Sequence, residues 1–268
     1  MCLKSLSATL SLLICCVSIL PVFADDGVES SWRHQVELGL NGASGNSETL
    51  NLHLGFNTDY ADPLKTWKFS SAYDRSKSDG DISANRFFAD LKREWIWPQN
   101  PWFSFLQGRY DWDEFKDWDD RLSASGGTGY QHLKNDSWDI ASRIGLGGSI
   151  SRGDDEDIRT PELVLALDLG WIISEFERFE FTTAFYPDLD DTGEYRNLTA
   201  LNWSMKMAET RNLAIKLGLR NEYDSDVSEG QENNDFTYNL SLLWQGTADA
   251  TQFLRIYYIY HEAFSLYI

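Results

Sequence analysis

Along residues 48–60 apolar and polar side chains alternate. Leu50, Leu52, Leu54, Phe56 and Tyr60 take one parity; Thr49, Asn51, His53, Asn57 and Asp59 take the other. A strand sends successive side chains to opposite faces, so this segment has one apolar and one polar face. The pattern returns through most of the chain. Segments near 31–43, 65–76, 85–97, 101–113 and 121–132 follow it, the last rich in glycine. Six more are carried by Trp138 to Ile150, Leu163 to Trp171, Phe179 to Phe185, Arg196 to Lys206, Leu213 to Glu222 and Phe236 to Gln245. Twelve such segments predict an all-β chain: a closed antiparallel transmembrane β-barrel with up-and-down topology, apolar outside and polar within. The competing reading is a secreted two-sheet sandwich with Leu50, Leu165 and Leu217 in one core.

The connections alternate in kind. Ala61-Asp62-Pro63, Pro98-Gln99-Asn100-Pro101, Lys134-Asn135-Asp136, Ser174-Glu175 and Glu209-Thr210 are tight, turn-forming clusters. The intervening stretches 77–84, 114–120, 151–160, 187–195 and 225–235 are longer and acidic, and only Ser44-Gly45-Asn46-Ser47 is short. Outer-membrane barrels of Gram-negative bacteria have short periplasmic turns and longer outer loops, which puts both chain ends in the periplasm. Tryptophan placement agrees. Trp32, Trp67, Trp102 and Trp138 open strands, while Trp95, Trp97, Trp171, Trp203 and Trp244 close them. All nine fall on the tight-turn side and predict a periplasmic-side aromatic belt. Tyr73, Phe87, Tyr110, Trp112, Phe185, Tyr195, Tyr223 and Phe236 supply the opposite belt.

Residues 1–24 read as a cleaved leader: Lys4, an apolar run from Leu10 to Leu20, and the small-residue site Val22-Phe23-Ala24. The barrel is expected over 25–245. Residues 246–268, with the two-sided apolar run Phe253–Tyr260, form a tail apart from the alternating pattern. All three cysteines, Cys2, Cys15 and Cys16, sit in the leader, so the mature chain has no disulfide, thiolate metal site or cysteine nucleophile. The formal net charge is −19, which argues against nucleic acid as a partner. Below-zero mean hydropathy beside 11 Trp, 12 Tyr and 15 Phe suits a wall that is apolar on one side only.

The stretch Val36-Glu37-Leu38-Gly39-Leu40, followed by Ser44-Gly45-Asn46-Ser47-Glu48-Thr49, resembles the bacterial salt-induced outer membrane proteins. Arg121-Leu122 with Gly126-Gly127-Thr128-Gly129-Tyr130 resembles a second block of that family. The resemblance covers roughly 32–245. It implies an outer-membrane barrel of this size and no settled activity.

The polar parity is dense in charge. Arg33, Glu37, His53, Asp90, Lys92, Glu94, Arg109, Asp111, Arg121, Arg143, Asp168 and Arg220 are expected to form a lumen charge network. Lys68, Arg196, Lys206, Lys216, Asp59, Asp74, Asp113, Asp139, Glu162, Glu180, Glu222 and Asp224 join them. Near balance of sign suggests pairs that brace the interior, since a buried unpaired charge costs several kcal/mol; a pore lining is the alternative. No catalytic residue is assigned. His34 and His132 share parity with lipid-facing residues, and only His53 faces inward, beside Asn51. A hydrolase would need it with Ser70 or Ser241, or an acid pair among Asp111, Asp113 and Asp224, and spacing singles out none of these. Asp188 to Glu194 begins like a calcium loop, but Thr199 stands where the bidentate glutamate belongs. No cofactor or metal set follows. The expected role is a structural or salt- and envelope-stress barrel without catalysis; the alternatives are a narrow small-solute channel and an outer-membrane hydrolase. The expected partners are outer-membrane lipid and lipopolysaccharide, the barrel-assembly machinery during biogenesis, and divalent cations at the acidic outer loops.

Overall fold

Each alternating segment becomes a strand. The computed structural model describes residues 31–43, 49–153, 157–208, 212–227 and 231–246. The leader, the Ser44–Glu48 stretch and the tail, with Phe253–Tyr260, lie outside the described residues. The strands are β1 (Ser31–Ala43), β2 (Thr49–Ala61), β3 (Lys65–Ser78), β4 (Asp81–Ile96), β5 (Trp102–Asp113) and β6 (Asp120–Lys134). They continue as β7 (Trp138–Arg152), β8 (Ile158–Ile172), β9 (Glu177–Pro187), β10 (Tyr195–Ala208), β11 (Leu213–Asp224) and β12 (Asn234–Gly246). Every strand pairs antiparallel with its chain neighbours, and β1 pairs with β12 to close a barrel of 12 strands.

Burial is inverted relative to a water-soluble domain. Glu37 and Glu162 are only 2% exposed, and Lys92 and Arg143 are buried, whereas Leu40 is 68% and Tyr238 71% exposed. Leu50, Leu165 and Leu217 all stand on the outer wall, which overturns the sandwich reading. An outer face of Leu, Phe and Tyr is favourable only against hydrocarbon, and closure pairs every strand on both sides, β1 and β12 over five positions. The shortest strand, β9, has 11 residues, enough to cross a bilayer at the usual tilt.

The stretch 77–84, expected as a longer loop, is instead a hairpin. Ser78 pairs with Asp81, and Asp79 (φ 52°) and Gly80 (φ 92°) form the whole connection. Two successive positive φ values are what a two-residue turn needs to match strand twist, and Asp-Gly supplies them at low cost. Alternation fails near this turn because its flanks, Ser76 to Ser78 and Asp81, rise toward solvent with no apolar face to mark them.

The interior is partly apolar. On β5, Phe103 and Phe105 point inward and are buried. The glycines of β6 and β7 make room for them: a Cβ on Gly129 would strike the Phe103 ring, and one on Gly145 would lie 2.9 Å from Phe105 Cζ. The glycine-rich sixth segment is therefore the back of an aromatic wedge that narrows the lumen.

Candidate functional site

The inward faces of all the strands converge on the lumen, and its two halves differ. Toward the tight turns lies a cavity of about 1450 Å³, opening between Pro63, Pro98, Glu175 and Gln245. It ends at Phe88, Arg109, Tyr186, Arg220 and Thr237. Phe88 separates two guanidinium groups there, Arg109 at 4.5 Å and Arg220 at 4.2 Å from its ring centroid.

On the loop side of this plate, side chains pair with one another. Arg109 Nε donates to Asp111 Oδ2 at 2.8 Å. Arg121 bonds Asp224 at 3.0 Å and Ser151 at 2.7 Å. Arg196 bonds Glu162 at 2.6 Å and stacks over Tyr186. Arg220 pairs with Glu222, Lys116 with Asp235, and Arg86 donates to Thr237. Arg109–Asp111 and Arg220–Glu222 each lie along a single strand, whereas other contacts join β6 to β7 and β11, β8 to β10, and β4 to β12.

Two further clusters lie on the cavity side. At the closing seam, Glu37 accepts from Lys216 at 2.7 Å and Asn57 at 2.8 Å. His53 lies between Asp74, at 2.6 Å from Nδ1, and Glu37, at 3.5 Å from Nε2, with Asn239 at 3.2 Å. Gly55 permits this, since a Cβ there would lie 3.1 Å from the Glu37 side chain. On the opposite wall Asp168 accepts from Arg143 at 2.8 Å and Lys92 at 3.4 Å, and Lys92 lies 3.5 Å from Glu94.

The twelve network residues do not form one connected network. Arg109–Asp111 and Arg220 meet only through the Phe88 ring, and Arg121, Glu37–His53 and the Lys92–Glu94–Arg143–Asp168 group sit in separate clusters. Asp90 accepts from Gln107 at 2.7 Å rather than from a cation. Arg33 lines the cavity near its mouth with no ion pair among the described residues. Phe88, Tyr186 and Arg86 escape the sequence reading. The pair Phe87-Phe88 held the clue, because adjacent aromatics on a strand cannot both face lipid.

Among the described residues, His34, His53 and His132 each meet partners that form no Ser–His–acid triad. Both ring nitrogens of His53 are engaged by Asp74, Glu37 and Asn239, with no serine among these partners. His34 bonds Thr58 at 2.9 Å and His132 bonds Ser142 at 2.8 Å, both on the outer wall.

The strand tryptophans of the expected belt sit near the tight-turn rim. Trp32 packs on Tyr60, Trp102 on Tyr130, and Trp138 stacks on Trp171 at 5.0 Å and 3°. Trp67 and Trp95 flank Arg93. Trp203 lies opposite Phe179 and Leu217, and Trp244 opposite Val36 and Leu213. Trp97 departs from the set: it follows the end of β4 and borders the cavity mouth.

On the β9–β10 connection, carboxylate oxygens of Asp188, Asp191 and Glu194 lie within 4.8 Å of one another. Asp188 Oδ1 already accepts from the N–H groups of Asp190 and Asp191. Repulsion from Asp226, then partial desolvation and the nearby Asp191 and Asp188, raises the Glu194 carboxyl above its ordinary range. These are features of an acidic loop, and among the described residues no further donor set converges on it.

In shape, the chain is similar to the NanC porin, at 10% identity and TM-score 0.46, over 79% of this chain and 98% of that one. It is similar to an outer membrane channel from Pseudomonas putida F1, at 10% identity and TM-score 0.45, over 85% and 100%. An anion-selective porin from Comamonas acidovorans matches at 8% identity and TM-score 0.39, over 82% and 100%. No curated protein matches the sequence. Residues 36–245 match the family described as "Protein of unknown function, DUF481", to which this chain belongs.

Proposed function

We propose that the protein is an outer-membrane barrel with a structural, envelope-stress role, its lumen closed on the loop side and open to the periplasm, and without catalysis. One observation carries the reading: the cavity stops at the Phe88–Arg109–Arg220 plate, beyond which charged side chains pair with one another across the bore. Charges cross-linked between distant strands stiffen a wall, and they would have to be pulled apart to let a solute through. The resemblance to salt-induced proteins supports a role under osmotic load. The tight-turn mouth is taken as periplasmic because short turns lie on that side in barrels of this class.

A narrow small-solute channel is the second reading, favoured by the size and polarity of the cavity. Single-channel recording in planar bilayers separates the two. The expected result is no stable conductance step from the wild-type protein; large, stable steps would reject the closed lumen.

A further inference from the structure

Arg93 is a cation on the wrong side of the wall. It lies on β4 opposite Trp67 on one side and Leu106 on the other, and Leu106 is 56% exposed on the outer face. Its guanidinium rests 4.5 Å from the Trp67 ring centroid and 4.7 Å from that of Trp95. The Nε is buried without a hydrogen-bond partner. Among the described residues no carboxylate pairs with it, in contrast to the lumen arginines 86, 109, 121, 143, 196 and 220, each of which meets an acid. Lys65, the register partner of Trp95, stands on the same face nearer the turn and reaches Asp62 at 3.4 Å.

We propose that Arg93, held between Trp67 and Trp95, binds the phosphate of a membrane glycerophospholipid, with Lys65 beside it at the rim. Two indole faces hold the guanidinium plane in place and leave its terminal N–H edge for an anion. That edge stands in the aromatic band, the depth at which bilayer phosphates sit. A planar guanidinium matches two phosphate oxygens at once, which a point charge does not. Its acyl chains would run along Leu91 and Leu106, both exposed on the outer wall. The choice of a glycerophospholipid over lipid A rests on the orientation proposed above, with the tight turns in the periplasm.

Native mass spectrometry of the detergent-solubilised barrel tests this. Protein stripped of co-purified lipid is mixed in turn with dipalmitoyl phosphatidylglycerol, dipalmitoylglycerol and lipid A. A boiling-dependent gel shift confirms that each variant is folded. The expected result is one retained phosphatidylglycerol and no retained dipalmitoylglycerol. Retention should fall about fivefold or more in Arg93→Gln and less in Arg93→Lys, which keeps charge but loses the planar fork. Arg75→Gln, which alters an outward arginine near the opposite rim, should change nothing. Equal retention by wild type and Arg93→Gln, or equal loss in Arg75→Gln, overturns the site. Retention of lipid A alone, still lost in Arg93→Gln, overturns the phospholipid assignment through the orientation.

Discussion

At the scale of single residues, turns and close approaches decide where the strands can run. Asp62 closes the β2–β3 turn: its Oδ1 accepts the N–H of Leu64 at 2.8 Å and of Lys65 at 2.9 Å, and Oδ2 accepts the Tyr60 hydroxyl at 3.0 Å. Partial burial pushes its pKa up, but these donors outweigh that and hold it below the ordinary 3.8. A carboxyl depressed in the folded state adds stability above its unfolded pKa, and the benefit disappears as pH falls through the folded value. Asp62→Ala should therefore cost about 1 kcal/mol at neutral pH. The deficit should shrink as unfolding is followed into acid; a deficit independent of pH would rule the carboxylate out as its source. Gly127 marks a different constraint. It faces Gly145 across β6 and β7, and a Cβ there would strike the Ile144 carbonyl oxygen and Gly145 Cα. Backbone cannot step aside as a side chain can, so Gly127→Ala should destabilise the barrel by about 1–3 kcal/mol. Gly108, where a Cβ would meet open space, is the control. Equal denaturation midpoints for the two variants would refute the close approach.

Among the elements, the ladders are unequal. β1 pairs with β2 from Ser31 to Ala43, but with β12 only from His34 to Leu38. The outward residues bordering the rest of that seam, Leu40, Phe236, Tyr238 and Leu240, are among the most exposed apolar side chains of the wall. Fewer ladder bonds mean a lower local opening free energy. In hydrogen exchange, the β12 amides above Leu242 that face β1 should exchange faster than those of β10 and β11, which pair from Arg196–Asp224 to Ala208–Leu213. Uniform protection around the barrel would contradict this. The seam also shows what alternation can and cannot tell. A period of two identifies the strands and their inward faces, because one wall meets hydrocarbon and the other meets charge; Leu50, Leu165 and Leu217 leave no ambiguity. Stagger between the first and last strands depends on closure of the whole barrel, and no local stretch encodes it. The Asp79-Gly80 turn was present in the sequence as a dipeptide signal, yet length and acidity made 77–84 read as a loop.

For the whole molecule, the question is what a wall of paired charges does. Parity alone puts Arg109 inward and leaves its partner open, with Asp90, Glu94 and Asp111 all within reach of the reading. The structure chooses Asp111, two residues along the same strand, over the cross-strand Asp90, which turns to Gln107, while Glu94 turns to Lys92. Side-chain direction along a strand is not written in its period, which is why the partner was hidden when the face was not. The choice makes a test. Arg109→Ala leaves the half-buried Asp111 carboxylate without its cation, and breaking a buried pair costs about 3–5 kcal/mol where the survivor stays charged. Arg109→Ala should therefore lower the unfolding temperature in detergent. Adding Asp111→Asn should recover part of the loss, whereas adding Asp90→Asn should not. The same variant probes the closed lumen, because Arg109 forms one side of the plate over Phe88 where the cavity ends. If the plate is the barrier, Arg109→Ala should bring ion conductance to a protein that otherwise shows none. Loss of stability with the lumen still closed would assign Arg109 to bracing alone. Raised conductance without loss of stability would make it a pore-lining residue and favour the channel.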